Sequence, residues 1–429
     1  MGIPMDMVLV AVVGVVLLAL LFDFTNGFHD AANSTSTVVA TRAMKPRHAV
    51  YMAAFFNFAA LFVVGTAVAN TVAKTVDVEA LGVQSGGVPM GLGVAFGALL
   101  GAIFWNYFTW SIGMPSSSSH ALIGGLLGAG LSAGGLDVIK WSSIEKAALA
   151  IVISPLVAFT VAFLAMFLVG LLQRMTHWED DAKPFKWLQI VSAAAVSFGH
   201  GANDAQKTMG VIAFALVSGG FITADSGIPV WVEIAAYSMI ALGTMWGGWT
   251  IIETMGLRIT KLNANSGVAA NIGAVTSIFG ATELGVPIST TQAAAASVMG
   301  SGAAAGTGLN GRKIGEMVIA WTFTLPAAAV VGFVAFKLTT FPDPWGWVAS
   351  LSAIAVLGIW AGRLMMHAEN ADDIEQMLPS EAELHQYHTV PHPDLHPYEG
   401  PPHVNHHELE EHPDRTPGNP QDTKGSPLP

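Results

Sequence analysis

Eleven apolar stretches follow one another along this 429-residue chain, and most are long enough to cross a bilayer core as helices. They cover 5–22, 49–69, 88–110, 121–133, 144–172, 188–217, 232–253, 268–280, 291–305, 317–336 and 345–362. A spanning helix needs ~20 apolar residues, so the expected fold is an all-α polytopic membrane protein with about 10–12 membrane segments. The stretches 121–133 and 291–305 are short and glycine-rich. They predict re-entrant or broken helices, which survive at membrane depth only where protein or a water-filled cavity covers the backbone. The first stretch lacks the basic n-region and A-x-A site of a cleaved leader, so it is read as a retained span.

Charge and cysteine content remove several function classes. The chain has no cysteine, which excludes disulfides, thiolate metal sites and cysteine nucleophiles. The net charge of −12 is concentrated at one end: residues 364–429 hold 13 acidic groups against Arg415 and Lys424, giving −11. The membrane body is near neutral and has no clustered basic face, so no nucleic-acid partner is expected. The segment 367–429 is acidic and rich in His and Pro, with nine of the fourteen histidines. It is expected to be a disordered tail, with weak collection of divalent metals as the lesser alternative.

Two polar strings sit deep in apolar sequence and repeat one another. Phe24-Thr25-Asn26-Gly27-Phe28-His29-Asp30-Ala31 returns as Phe198-Gly199-His200-Gly201-Ala202-Asn203-Asp204-Ala205, 174 positions later. A second pair matches at an offset of 172: Met114-Pro115-Ser116-Ser117-Ser118-Ser119-His120-Ala121 with Val286-Pro287-Ile288-Ser289-Thr290-Thr291-Gln292-Ala293. Glu145 and Pro155 precede Glu316 and Pro326 by 171. Three matches in the same order imply a duplication. One repeat occupies 1–172 and the other 188–338, followed by a final helix over 345–366.

Basic loops containing Arg42, Lys45 and Arg47, then Arg174, Lys183 and Lys186, then Arg258 and Lys261 are assigned to the cytoplasm. That places the N-terminus outside, inverts one repeat relative to the other, and leaves the tail more naturally inside. Lys140 and Lys146 run against this scheme.

Proline suits the first turn of a helix, and a helix start carries free N–H groups and roughly +0.5 of an elementary charge. Ser116, Ser117, Ser118 and Ser119, with Ser289, Thr290 and Thr291, thus read as two anion-binding helix tips that need no basic side chain. Asp30 and Asp204, placed where glycine and polar residues are expected to interrupt a helix, read as ligands of a coupling cation, a proton or Na⁺. Asn26, Asn33 and Asn203 add neutral oxygens, and Glu145 and Glu316 are candidates for the same ion path or for helix ends in headgroups. His29, His120, His200 and Gln292 could tune protons, although a buried histidine is more often a neutral hydrogen-bond partner. Lys207 follows Asp204 by three residues and can pair with it or with the anion, whereas the first copy has Asn33.

No single serine is selected as a nucleophile by its spacing, so no enzyme is expected. A passive anion channel remains the alternative from another class.

These strings resemble the inorganic phosphate transporter (PiT) family, whose repeated signature reads approximately G-A-N-D-x-A-N and whose hairpins carry P-x-S-[ST]-[ST]-H. Gly201-Ala202-Asn203-Asp204-Ala205-Gln206-Lys207 matches the start of that signature, Gly27-Phe28-His29-Asp30-Ala31-Ala32-Asn33 is similar to the bacterial low-affinity branch, and Gln292 departs from it. The resemblance covers residues 10–340. It implies secondary transport of phosphate by H⁺ or Na⁺ symport, with the cargo as free phosphate or as a neutral complex with Mg²⁺ or another divalent metal. It also implies two inverted repeats with re-entrant hairpins, a bacterial cytoplasmic-membrane location, no cofactor and a homodimer. Sulfate is the alternative cargo for the same fold.

Overall fold

The computed structural model describes residues 5–380 except 78–79, 82–87, 178 and 180–181. Of the tail expected to be disordered over 367–429, the part beyond residue 380 lies outside the described residues, and the described part departs from that expectation by forming a capped helix at Ala371–Met377. Helix α1 (Met5–Asp30) passes through one turn residue into α2 (Ala32–Ala40), and α3 (Pro46–Ala59) ends in a 3-10 turn before α4 (Ala67–Ala73). Then come α5 (Met90–Ser111), α6 (Ser118–Gly134) and α7 (Trp141–Thr176). The second half holds α8 (Lys183–Ser218), α9 (Val230–Trp246), α10 (Trp249–Leu257), α11 (Ala264–Glu283), α12 (Thr290–Ala305) and α13 (Gly311–Thr339). Two further helices, α14 (Trp345–Met366) and α15 (Ala371–Met377), close the described chain, in which no β-strand occurs.

Six helical segments are long and apolar enough to cross a membrane, and the α3/α4 pair, bent by 86°, makes a seventh if counted as one span. Helix α6 with its 3-10 extension reaches 21 residues and is one of the six. Helices apolar all round belong either in a core or in lipid. Both cases occur: the apolar window of α5 is 89% buried, whereas that of α14 is 6% buried and exposes Leu351, Val356 and Ile359.

The breaks do not fall where the polar strings suggest. Asp204 lies inside the continuous 36-residue helix α8, and α1 is interrupted only at Ala31, after Asp30. It is the neighbouring segments that break. The stretch 49–69, expected as one span, splits into α3 and α4, and 232–253 splits into α9 and α10. Gly247 adopts φ +80 there, and a Cβ on Gly248 would lie 2.1 Å from the Phe28 carbonyl oxygen. Only glycine permits both the left-handed turn and the close approach.

Packing is reciprocal between the halves. Helix α6 packs on α13, and its counterpart α12 packs on α7; α1 packs on α9, and α8 packs on α3. Small residues let these backbones approach closely, as in membrane helix interfaces generally. A Cβ on Gly27 would meet the Ile240 carbonyl oxygen at 2.2 Å, and one on Gly201, its repeat partner, would meet that of Asn57 at 2.4 Å. Helices α1 and α8 run antiparallel: Val12 lies by Gly219, Asn26 bonds Asp204, and Asp30 lies by His200.

The basic loops gather at one end. Thr41 donates to Gln189, which also lies against Gly267. Arg42 donates to the carbonyls of Leu378 and Pro379, and Arg47 pairs with Asp372, so α15 is seated at that same end. Lys140 is ion-paired with Asp77.

Candidate functional site

Helices α6 and α12 begin side by side over the two aspartates. Each N-cap is a serine accepting from the backbone three residues on, Ser117 from His120 N and Ser289 from Gln292 N, both at 3.1 Å. This cap satisfies one of the free N–H groups at each tip and leaves others for a partner. The first residue of each helix reaches Asp30. The Ser118 hydroxyl lies 3.5 Å from Oδ1 and the Thr290 hydroxyl 3.4 Å from Oδ2. Thr290 also lies 3.4 Å from Asp204 Oδ2, and Ser119 donates to the Ile288 carbonyl at 2.7 Å. Both positively polarised helix ends therefore converge on one carboxylate pair.

The aspartates are held in a crossed pattern. Asn26 donates across to Asp204 Oδ2 at 3.2 Å, while its repeat partner His200 places Nε2 3.8 Å from Asp30 Oδ2 and 3.6 Å from Asp204 Oδ2. Asp30, His200 and Asp204 thus offer ligand atoms all within 4.8 Å of one another, and all three residues are buried. Lys207 binds Asp204 Oδ1 at 2.6 Å and the Ile288 carbonyl at 2.9 Å. Asn33 instead donates to Thr290 and Thr291, at 3.3 and 3.2 Å. The site is built symmetrically and charged asymmetrically.

The residues one position before each aspartate clamp equivalent loops. His29 has Nδ1 2.7 Å from Asp30 Oδ1 and Nε2 3.2 Å from Thr109 and 3.3 Å from Ser116. Asn203 donates to Thr282 at 3.0 Å and accepts from Ile288 N at 3.4 Å. Ser116 and Ile288 are themselves repeat partners at the offset of 172, whereas Thr282 lies one position beyond the partner of Thr109.

A family model described as the phosphate transporter family matches residues 26–182 and 172–332. A probable low-affinity inorganic phosphate transporter of Rhizobium meliloti is 47% identical over 321 residues, covering 74% of this chain and 93% of that protein. The chain belongs to the phosphate transporter family. A probable low-affinity inorganic phosphate transporter of Bacillus subtilis is 40% identical, covering 77% of this chain and 98% of that protein. A solved structure, "The sodium-dependent phosphate transporter", is 25% identical with a TM-score of 0.66, covering 77% of this chain and 98% of that one.

Not every residue singled out from the sequence of this phosphate transporter family member joins the cluster. Glu145 is exposed near the start of α7, and Glu316 pairs with Arg312 and Lys313 near the start of α13. Neither touches the aspartates, because both lie about a turn into the long helices, away from the centre of the molecule. His120 and Gln292 are buried behind the caps, each with a side-chain atom (Nε2 and Oε1) lacking a hydrogen-bond partner. Asn57 was not foreseen. It lies 3.2 Å from His200 Nδ1 and donates to Thr244 at 2.8 Å, fixing the imidazole between the carboxylates. Its only sequence signal is one amide inside an apolar segment.

Proposed function

We propose that this chain is a symporter that imports inorganic phosphate using a proton or Na⁺ gradient. The observation that carries this reading is the convergence of two helix tips, from the two halves, on the Asp30–His200–Asp204 cluster. Helix N-termini favour an oxyanion, whereas a bare carboxylate pair repels it. The two halves of the site are compatible only if cations arrive with the anion. Lys207 supplies one fixed positive charge at Asp204, and Asp30 with His200 takes the mobile one.

Net negative surroundings also favour a cargo that is already neutralised. In this reading a neutral divalent-metal phosphate, such as the Mg²⁺ complex, offers its metal to the carboxylates and its oxygens to Ser118, Ser119, Thr290 and Thr291. Antiparallel α1 and α8, the reciprocal packing and the starts of α6 and α12 at the depth of Asp30 support two inverted repeats with re-entrant hairpins. The basic loops gathered at one end support an N-terminus outside and a cytoplasmic exit for the tail in a bacterial cytoplasmic membrane.

Reconstituted Asp30→Asn and Asp204→Asn proteins are expected to insert normally but lose gradient-driven accumulation of labelled phosphate by at least about a hundredfold, as expected when a buried charge of the coupling site is removed. Accumulation at the wild-type level in both variants refutes the ion-site assignment.

A further inference from the structure

One buried carboxylate plays no part in the cluster just described. Asp23 lies on α1 seven residues before Asp30, is fully buried, and has no hydrogen-bond partner on either oxygen. Two hydroxyls accompany it. Thr208, four residues beyond Asp204 on α8, faces the Asp23 carboxyl, and its hydroxyl is buried and unpartnered. Tyr237 on α9 also has a buried, unpartnered hydroxyl. Since Gly27 lies against Ile240, Asp23 one turn earlier falls level with Tyr237.

Helices α5, α8 and α9 pack around α1. Helix α8 presents Asp204 and Lys207, but that ammonium is taken by Asp204 Oδ1 and the Ile288 carbonyl. Helix α9 brings Tyr237 and Glu233, and α5 brings no ionisable side chain except Tyr107. On α1 itself the nearest titratable groups are His29 and Asp30, which contact one another. Asp23 therefore has no cation of its own. An ionised, unpaired carboxylate is costly at such a place, and a proton removes that charge. Bound Na⁺ demands a cage of several oxygens, whereas a carboxyl O–H needs one acceptor, and Thr208 is the hydroxyl that faces it.

We propose that Asp23 is a proton-carrying carboxyl of this transporter, separate from the phosphate site. One O–H bond forms on Asp23 as a hydronium ion from one side of the membrane gives up its proton, and the same bond breaks as the proton passes to water on the other. A neutral Asp23 removes a negative charge from the neighbourhood of Asp204, Lys207 and the helix tips, so proton uptake and anion binding favour one another. This assignment rests on the transport reading and adds to the Asp30–His200 site a second group, one that carries only a proton.

The test uses the full-length protein in liposomes and two assays: labelled-phosphate exchange without any gradient, and accumulation driven by an imposed pH gradient. Asp23→Asn mimics the protonated carboxyl. It is expected to keep exchange and to lose pH-driven accumulation by about tenfold or more, the scale of a typical coupling free energy. Wild-type accumulation in this variant overturns the proposal, as does loss of exchange in a protein that remains monodisperse. If the variant does not fold, Thr208→Val decides. A shift of the pH midpoint of uptake by about half a unit or more supports the proposal, and an unchanged profile overturns it. A wild-type protein that exchanges no phosphate defeats the transport reading and this proposal together, while exchange with unaltered coupling in Asp23→Asn defeats only the proton assignment.

Discussion

His29 and Asn203 stand one residue ahead of the two aspartates and hold equivalent loops through different chemistry. The imidazole spans Thr109 and Ser116, and the amide spans Thr282 and the Ile288 N–H. Each fixes the segment that ends in a helix tip, so the tips are positioned by the same residues that neighbour the ion ligands. The hydroxyls of Ser118 and Thr290 at those tips both reach the carboxylates. Ser118→Ala and Thr290→Ala are each expected to raise the half-saturation concentration for phosphate by roughly tenfold, since a donor to an anion is worth about 1.5 kcal/mol. Unchanged values in both variants, measured as initial rates of labelled-phosphate uptake, would take the tips out of the substrate site. The Lys207–Asp204 pair was legible from spacing alone, because residues three apart share a helix face. Asp23 was not, because it is a single carboxylate outside the duplicated polar strings and its counterpart in the second half is Ser197.

Among the helices, glycine decides how near the halves can come. A Cβ on Gly128 of α6 would sit 1.9 Å from the Ala329 carbonyl oxygen on α13, and one on its partner Gly300 would sit 2.3 Å from that of Phe159 on α7. Backbone on both sides leaves no flexible atom to yield. Gly128→Ala is expected to destabilise the detergent-solubilised protein by about 1–3 kcal/mol, the usual cost of overpacking. Gly170→Ala is the control, since a Cβ there meets nothing within 4 Å. Equal thermal midpoints for the two variants would contradict the close crossing of α6 and α13. Element existence was largely legible from apolar runs, but the breaks were not. Hydropathy runs through Gly247 and Gly248 without interruption, and the turn there follows from a left-handed φ and from the approach of Phe28, neither of which a local pattern records.

For the molecule as a whole, the offset of 171–174 residues implied two copies, while the structure adds how they intertwine. Each half supplies a helix tip whose long packing partner belongs to the other half, α6 with α13 and α12 with α7. That arrangement depends on contacts between distant segments, so no local reading of the chain could specify it. It also explains why the site must draw on both halves: Asp30 is reached by Ser118 from one and by Thr290 from the other. The central claim is that such a site moves phosphate together with a cation. Its most direct test is uptake of labelled phosphate by the purified protein in liposomes, under imposed pH or Na⁺ gradients, with and without Mg²⁺. Accumulation above the equilibrium level that collapses when the gradient is dissipated is the predicted result. Equilibration without accumulation under every gradient would mark a passive pathway and contradict the account.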